Sequence, residues 1–176
     1  AKIFFCQRLF SLMSNGKVFH HAFRIEYSGI TRVLVTDCQI ALPLAIDSNP
    51  QKQFSPFKAI WDTGATNSVI TNNVAKKVSL MPTGMAEAHG VHGKSQVNTF
   101  IVDILLPNKV CIPNVRVSEG KLLDNIDILI GMDIIQLGDF AISNSNGKTI
   151  FSYCLPPHKN PIDLLEKSNC VNPRKK

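Results

Sequence analysis

Asp62 is the residue whose surroundings most strongly suggest chemistry. It stands in the segment AIWDTGATNSVIT (residues 59–71), after three apolar residues and before a Thr-Gly pair. A carboxylate is costly to place where a chain enters an apolar core, unless it is paired or used. Because side chains alternate along a strand, Asp62 is expected on the same face as Ile60, with Trp61 directed into the core.

The residues after Asp62 predict a tight, rigid loop. Gly64 allows the backbone to turn sharply and to approach a neighbour closely, and the hydroxyl of Thr63 can bind another strand or a second chain. The alternative interpretation is an ordinary turn aspartate that caps a loop. An isolated Asp-Thr-Gly does not distinguish these two interpretations, so the elements around it matter.

The rest of the chain predicts short strands, turns and few helices. Alternating and β-branched segments predict strands within residues 32–46, 57–61, 96–107, 109–118, 127–130 and 139–155, the last a hairpin that turns at Asn146-Gly147. A helix is predicted within residues 71–80, a second is predicted after Gly131, and residues 81–95 are rich in turn formers. The expected fold class is mainly β with one or two short helices.

Three motifs occur in a specific order: AIWDTGATNSVI, then AHGVHGK (residues 88–94), then ILIGMDII (residues 128–135). In this order and approximate spacing they resemble the motifs of the retropepsin-like aspartic proteases, more closely their bacterial and cellular branch. The resemblance covers residues 32–155 and implies a small closed acid-protease β-barrel. It also implies that Asp62 is catalytic and that Thr63, Gly64 and Ala65 support the active-site loop.

The family mechanism needs two carboxylates that share one proton. This chain has one Asp-Thr-Gly, so the resemblance implies a symmetric homodimer in which each subunit supplies Asp62. By the same resemblance, Gly90, Val91, His92 and Gly93 form the tip of a flap, and Ile60, Val69 and Leu129 line the substrate pocket. For these three pocket residues an ordinary packing role is an equally open interpretation. His92 and the nearby His89 are expected to be exposed and incidental.

The chain departs from the retroviral pattern at two positions. Retroviral enzymes usually carry an Arg after the Gly of the last motif and an acid four residues beyond the catalytic Asp, whereas this chain has Met132 and Thr66. Because both charged residues are replaced, neither charge is left without its partner. The replacement does, however, remove an ion pair near the dimer interface. The terminal hairpin could compensate by pairing its edge strands across the two-fold axis; a dimer that survived truncation after Gly138 would contradict this hypothesis.

Charge and composition limit the other possible functions. The net charge is +6, made of +4 in residues 1–32, −1 in residues 33–155 and +3 in residues 156–176. The basic excess therefore lies at the two ends, and no nucleic-acid partner is expected. Five scattered cysteines without a C-x-x-C pair predict neither disulfides nor a zinc site, so a reducing, cytoplasmic location and no metal or organic cofactor are expected. No apolar run is long enough to span a membrane.

The sequence predicts an N-terminal extension (1–31), a protease domain (32–155) and a basic C-terminal tail (156–176). The extension could pack on the barrel, cover the cleft as a pro-segment or hang free, and its segment VFHHAFRIEYSG could add a strand. The predicted function is an aspartic endopeptidase that acts on protein or peptide substrates. Two alternatives stay open: a non-catalytic dimeric peptide-binding module with the same fold, and a nucleic-acid-binding protein that uses its basic ends.

Overall fold

The computed structural model describes residues 7–8, 13–14, 17–43, 52–90 and 93–172. Within these ranges the chain is mainly β, as predicted. The strands are β1 (Gln7–Arg8), β2 (Met13–Ser14), β3 (Lys17–Val18), β4 (His21–Glu26), β5 (Leu34–Ala41), β6 (Ser55–Trp61), β7 (Val69–Ile70), β8 (Gly84–Gly90), β9 (Gly93–Leu105), β10 (Val110–Glu119), β11 (Ile128–Ile130), β12 (Asp139–Ser145) and β13 (Lys148–Leu155). The helices are α1 (Asn72–Lys77), α2 (Met132–Ile135) and α3 (Leu164–Val171).

Eight strands form the main sheet, in the order β1-β10-β7-β11-β6-β5-β9-β8, and β9 also pairs with β10. Strand β6 lies inside this sheet, antiparallel to β5 and parallel to β11. Along β6 the side chains of Phe57, Ala59 and Trp61 are buried, and those between them are more exposed. This alternation confirms the predicted directions of Trp61 and Ile60. Strand β6 therefore packs one face on the core and ends directly before Asp62.

A three-stranded sheet in the order β12-β13-β4 packs on the same core. Strands β12 and β13 form the predicted hairpin, in which Asn146 and Gly147 adopt positive φ angles of 52° and 72°. Strand β4, from the predicted N-terminal extension, pairs antiparallel with β13 and places Phe23 opposite Tyr153. Residues 21–26 therefore add a strand, which the sequence left open.

An aromatic cluster joins the two sheets. The ring of Trp61 lies 5.2 Å from that of Phe151 and 4.9 Å from that of Tyr153, while Phe23 and Phe140 pack around the same group. Phe151 and Tyr153 are fully buried, and each such aromatic contributes about 1.5–3 kcal/mol through burial. The phenol of Tyr153 donates a hydrogen bond to the carbonyl of Ile134 at 2.6 Å, so its one polar atom is satisfied.

Two segments differ from the sequence expectation. Residues 84–90, within the segment predicted to be turn-rich, form strand β8, because pairing with β9 overrides their weak β propensity. Helix α3 forms in the predicted tail, where the side chain of Asp163 caps it by accepting hydrogen bonds from the backbone of Leu165 and Glu166. No described helix has both the length and the apolar character needed to cross a membrane.

Candidate active site

Asp62 follows β6 directly and is fixed through its backbone. Its N–H donates to the carbonyl of Ile130 in β11 at 3.0 Å, and its own carbonyl accepts from Ala65 at 3.3 Å. One carboxylate oxygen, Oδ1, accepts from the backbone N–H of Gly64 at 2.8 Å. The other oxygen has no hydrogen-bond partner among the described residues. Asp62 is half-buried, so one oxygen is held while the other remains available to a reactant.

The loop that carries Asp62 rests on the start of helix α2. The N–H of Met132 donates to the carbonyl of Ala65 at 2.8 Å, and the N–H of Asp133 donates to that of Thr66 at 3.1 Å. A short helix begins with N–H groups that have no partner inside the helix, and the loop supplies their acceptors. The first and third motifs of the sequence are thus not independent, because the third motif supports the first.

A buried Ser-Asp pair locks this junction. The hydroxyl and the N–H of Ser68 donate to the two carboxylate oxygens of Asp133 at 2.8 and 3.0 Å, and the hydroxyl oxygen accepts from the N–H of Gly131 at 3.1 Å. Ser68 is fully buried and Asp133 is half-buried, so water competes little for the bonds of the serine. The sequence analysis missed both residues. The available signal was a serine inside the apolar run NSVI together with an acid in the first turn of a predicted helix.

Residue 131 must be glycine, because the Asp62 loop and the start of α2 approach each other closely at this position. A Cβ atom at this position would lie 2.7 Å from the carbonyl carbon and oxygen of Asn67 and 3.0 Å from the carbonyl oxygen of Ala65. These are backbone atoms, and the carbonyl of Ala65 is also held by the N–H of Met132, so they cannot move aside as the end of a flexible side chain could. Any side chain at residue 131 would push the Asp62 loop away from α2.

The predicted pocket residues Ile60, Leu129 and Val69 lie side by side. Leu129 pairs with Ile60 across the parallel β6–β11 ladder and with Val69 across the antiparallel β11–β7 ladder. All three side chains are half-buried, whereas Ile128 and Ile130 on the other face are fully buried. The structure therefore brings together a partly exposed apolar row over three strands, at the end of β6 where Asp62 begins.

The predicted flap segment is a β-hairpin. Strands β8 and β9 pair antiparallel along their length, up to Gly90 opposite Gly93, and Gly93 adopts a φ of 107° that favours glycine. Val91 and His92, the predicted tip, lie outside the described residues. At the base of the site, Thr63 is exposed and its hydroxyl has no partner within the described part of the chain, which leaves it free for a contact with another chain.

Two other features bear on ligand binding. A groove of about 290 Å³ is lined by residues of α1, β9 and β10 and by the segment between α1 and β8, and it does not include Asp62. Elsewhere, the metal-ligating atoms of His20, Cys154 and His158 lie within 4.8 Å of one another. The sequence predicted no metal site, because these residues are far apart in the chain.

Residues 51–136 match the family described as "gag-polyprotein putative aspartyl protease". This range contains the Asp62 loop, the β8–β9 hairpin and the start of α2. The resemblance to the retropepsin-like aspartic proteases is confirmed. No curated protein matches the sequence significantly.

Similar solved structures include a retropepsin-like aspartic protease from Rickettsia conorii, with 15% identity, coverage of 78% of this chain and 97% of that chain, and a TM-score of 0.46. Another is the EIAV protease in complex with the inhibitor HBY-793, with 20% identity, coverage of 62% and 90%, and a TM-score of 0.44. The retroviral protease-like domain of Ddi1 from Leishmania major has 20% identity, coverage of 69% and 95%, and a TM-score of 0.43.

Proposed function

We propose that the protein is an aspartic endopeptidase of the retropepsin type that acts as a homodimer on extended peptides. The observation that carries this proposal is the carboxylate of Asp62. One of its oxygens is held by the N–H of Gly64 and the other is open, and a half-buried apolar row begins beside it. A turn aspartate that serves only as a cap needs neither the buried support beneath the loop nor the apolar row.

The proposed reaction uses two Asp62 carboxylates, one from each subunit, with a single proton between them. The ionised carboxylate takes a proton from a water molecule, whose oxygen attacks the peptide carbonyl carbon, while the protonated carboxyl donates its proton to the carbonyl oxygen. The tetrahedral intermediate then collapses, the C–N bond breaks and the amide nitrogen takes up a proton. The products are a carboxylic acid and an amine, and no cofactor is needed.

Substrate would bind as an added strand. Backbone hydrogen bonds hold an extended peptide, and pockets for alternate side chains select it. Ile60, Leu129 and Val69 supply apolar contacts on one side, and the β8–β9 hairpin, with Gly90, Val91, His92 and Gly93 as its tip, closes over the peptide as a flap. The preferred substrates would therefore carry apolar side chains next to the cleaved bond.

One chain supplies one Asp62, so catalysis requires a second subunit. The exposed hydroxyl of Thr63, next to the carboxylate, is placed for a contact across the two-fold axis. The extra pairing of β9 with β10 supports the predicted barrel as the scaffold of each subunit.

The decisive variant is Asp62→Asn. It keeps the shape of the side chain and removes its charge, so we expect peptide cleavage to fall by at least about 10³-fold with unchanged thermal unfolding. Cleavage of a peptide library would be measured over a pH series, with a hydroxyl-bearing transition-state mimic as competitor. The matched control is Asp37→Asn, because Asp37 is exposed and, among the described residues, its salt bridge is to Lys58. Equal loss in both variants would contradict a catalytic role for Asp62.

Mixing the two forms tests the shared site. If each active site takes Asp62 from both subunits, an equal amount of Asp62→Asn protein reduces the activity of wild type to about half once subunits exchange. Unchanged activity would mean that each chain works alone. If wild type and variant bind peptides equally and neither cleaves them, the protein is a non-catalytic dimeric peptide-binding module, which the same apolar row would also serve.

We propose that the dimer contact uses the free edge of strand β12. In the sheet order β12-β13-β4, strand β13 is paired on both sides and β12 on one side only, and Ile142 in β12 is 49% exposed. Truncation after Gly138 is a poor test of this contact, because it also removes Phe151 and Tyr153 from the core.

The better test is Ile142→Lys, which places a charge on the proposed pairing edge. We expect it to weaken self-association by about 10-fold or more, measured by analytical ultracentrifugation. Ile162→Lys is the control, because Ile162 is similarly exposed at 52% but lies outside β12. A dimer of unchanged affinity in Ile142→Lys would place the interface elsewhere.

A further inference from the structure

Three side chains that commonly bind metals converge at one end of the three-stranded sheet. His20 precedes β4, Cys154 lies near the end of β13, and His158 follows β13. The pairing of β4 with β13, which sets Ala22 opposite Cys154, brings these distant segments together. One ligating atom from each residue lies within 4.8 Å of the others, with Cys154 buried and both histidines exposed.

The ring nitrogens of the two histidines are already oriented. Nδ1 of His20 lies 3.0 Å from the carbonyl oxygen of Pro156, and Nδ1 of His158 lies 2.7 Å from Oδ2 of Asp139. A carbonyl oxygen only accepts hydrogen bonds, so His20 carries its proton on Nδ1. The rings stack with their centroids 4.3 Å apart and an interplanar angle of 6°, so the two imidazoles lie next to each other.

Oδ2 of Asp139 also accepts a hydrogen bond from the backbone N–H of His158 at 2.8 Å, so this oxygen faces His158 as an acceptor. His158 thus also donates from Nδ1, which leaves Nε2 of both rings with a free lone pair in the neutral form. A carboxylate or backbone carbonyl behind the second nitrogen is the usual support of a metal-binding histidine.

We propose that His20, Cys154 and His158 form a binding site for a divalent transition-metal ion, best matched by Zn²⁺. Two imidazole nitrogens and one thiolate are the donors that Zn²⁺ prefers. In a tetrahedral site such donors stand about 3.3–3.6 Å apart, given Zn–N of about 2.0–2.1 Å and Zn–S of about 2.3 Å. The observed separations are within 4.8 Å, so metal binding requires the two exposed rings to rotate out of their parallel arrangement and to move closer to Sγ of Cys154. The fourth position is left to solvent.

Metal binding here would tie the two ends of the folded chain together. His20 belongs to the segment before β4, and His158 belongs to the segment that leads to α3. A bound ion joins both to the buried Cys154, and a cross-link that closes a long loop favours the folded state. None of the three residues belongs to the Asp62 loop or to the β8–β9 hairpin, so this site is independent of the proposed peptidase activity.

The test uses the full-length protein, stripped of metal with a chelator and titrated with Co²⁺ and with Zn²⁺. We expect one ion per chain, the thiolate-to-Co²⁺ charge-transfer absorption of a tetrahedral site, and a rise in Tm of about 5–10 °C at 100-fold excess of Zn²⁺ over its Kd. Cys154→Ser should abolish the charge-transfer band. His20→Ala and His158→Ala should each weaken binding by at least about 100-fold, and both remain folded because these side chains are exposed.

Matched controls separate this site from unspecific binding. His21→Ala removes the adjacent histidine, and Cys170→Ser removes an exposed thiol that lies outside the cluster; both should bind the ion as wild type does. Asp139→Asn should weaken binding by about 10-fold, because it removes only the support of His158. Absence of the charge-transfer band in folded wild type, or a band that Cys154→Ser retains, would overturn the proposal.

Discussion

The Asp62 loop and the three-stranded sheet β12-β13-β4 are held in opposite ways. The loop is fixed by polar contacts: backbone hydrogen bonds to α2 and the pair formed by Ser68 and Asp133. The sheet, whose strands are joined by backbone ladders, is held on the core by apolar contacts, chiefly the packing of Phe151 and Tyr153 on Trp61. Directional bonds set the position of a carboxylate to within a fraction of an ångström, whereas apolar packing supplies most of the stability without a strict geometry.

This contrast has a reason in the role of each region. A reacting group must be held in one orientation while its own atoms stay accessible to water and substrate. Apolar burial cannot do this, because it would exclude water from the group it holds. The sheet has no such restriction, so its aromatic residues can be completely buried.

The largest effect on stability is expected from Phe151→Ala. Phe151 is fully buried against Phe23, Trp61 and Phe140, and the substitution leaves a cavity, so the free energy of unfolding should fall by about 3–5 kcal/mol. Urea denaturation would measure it. Phe19→Ala is the control, because Phe19 is 52% exposed and should change stability by less than about 0.5 kcal/mol. Similar losses in the two variants would show that the aromatic cluster is not the main source of stability.

A smaller effect on stability, with a larger one on activity, is expected from Ser68→Ala. The change leaves the N–H of Gly131 without its acceptor and removes the hydroxyl donor to Oδ1 of Asp133, while the backbone N–H of residue 68 still donates to Oδ2. The expected cost is about 1–3 kcal/mol. It also loosens the support of Asp62, so peptide cleavage should fall more than stability alone explains. Ser28→Ala is the matched control, because Ser28 is exposed and lies outside the proposed active site and dimer contact. Full activity in Ser68→Ala would contradict the role assigned to this polar junction.

The smallest effect is expected from Gly147→Ala in the β12–β13 turn. Gly147 has a φ of 72° with open space around it, so alanine causes backbone strain and no clash, and stability should fall by about 1 kcal/mol. Gly29→Ala, which also meets no neighbouring atom and does not have a positive φ, should be neutral or slightly stabilising. Thermal unfolding of both variants would measure the difference. Equal changes in Tm would contradict a cost from backbone strain at Gly147.

The sequence predicts best those features that depend on neighbouring residues. The alternation of Trp61 and Asp62, the Asn146-Gly147 turn and the helix after Gly131 all follow from local periodicity and turn chemistry. Strand β8 escaped prediction because its pairing with β9, and not its composition, makes it a strand. The functional sites likewise divide into features that the sequence shows and features that only the pairing of distant segments produces.

Asp62 is recognisable because three motifs stand in order along the chain. The hydrogen bonds between Ser68 and Asp133 join residues that no spacing rule connects, and the cluster of His20, Cys154 and His158 needs the pairing of β4 with β13. Such features arise from topology, so only a folded structure reveals them.

The parallel pairing of β6 with β11 has a consequence for how the protein becomes functional. Ala59 aligns with Ile128, so the chain must complete a long excursion before the N–H of Asp62 meets the carbonyl of Ile130. Contacts this distant in sequence form slowly and late. A nascent or fragmentary chain that ends before Ile128 would contain the Asp-Thr-Gly sequence without the backbone hydrogen bond that fixes Asp62.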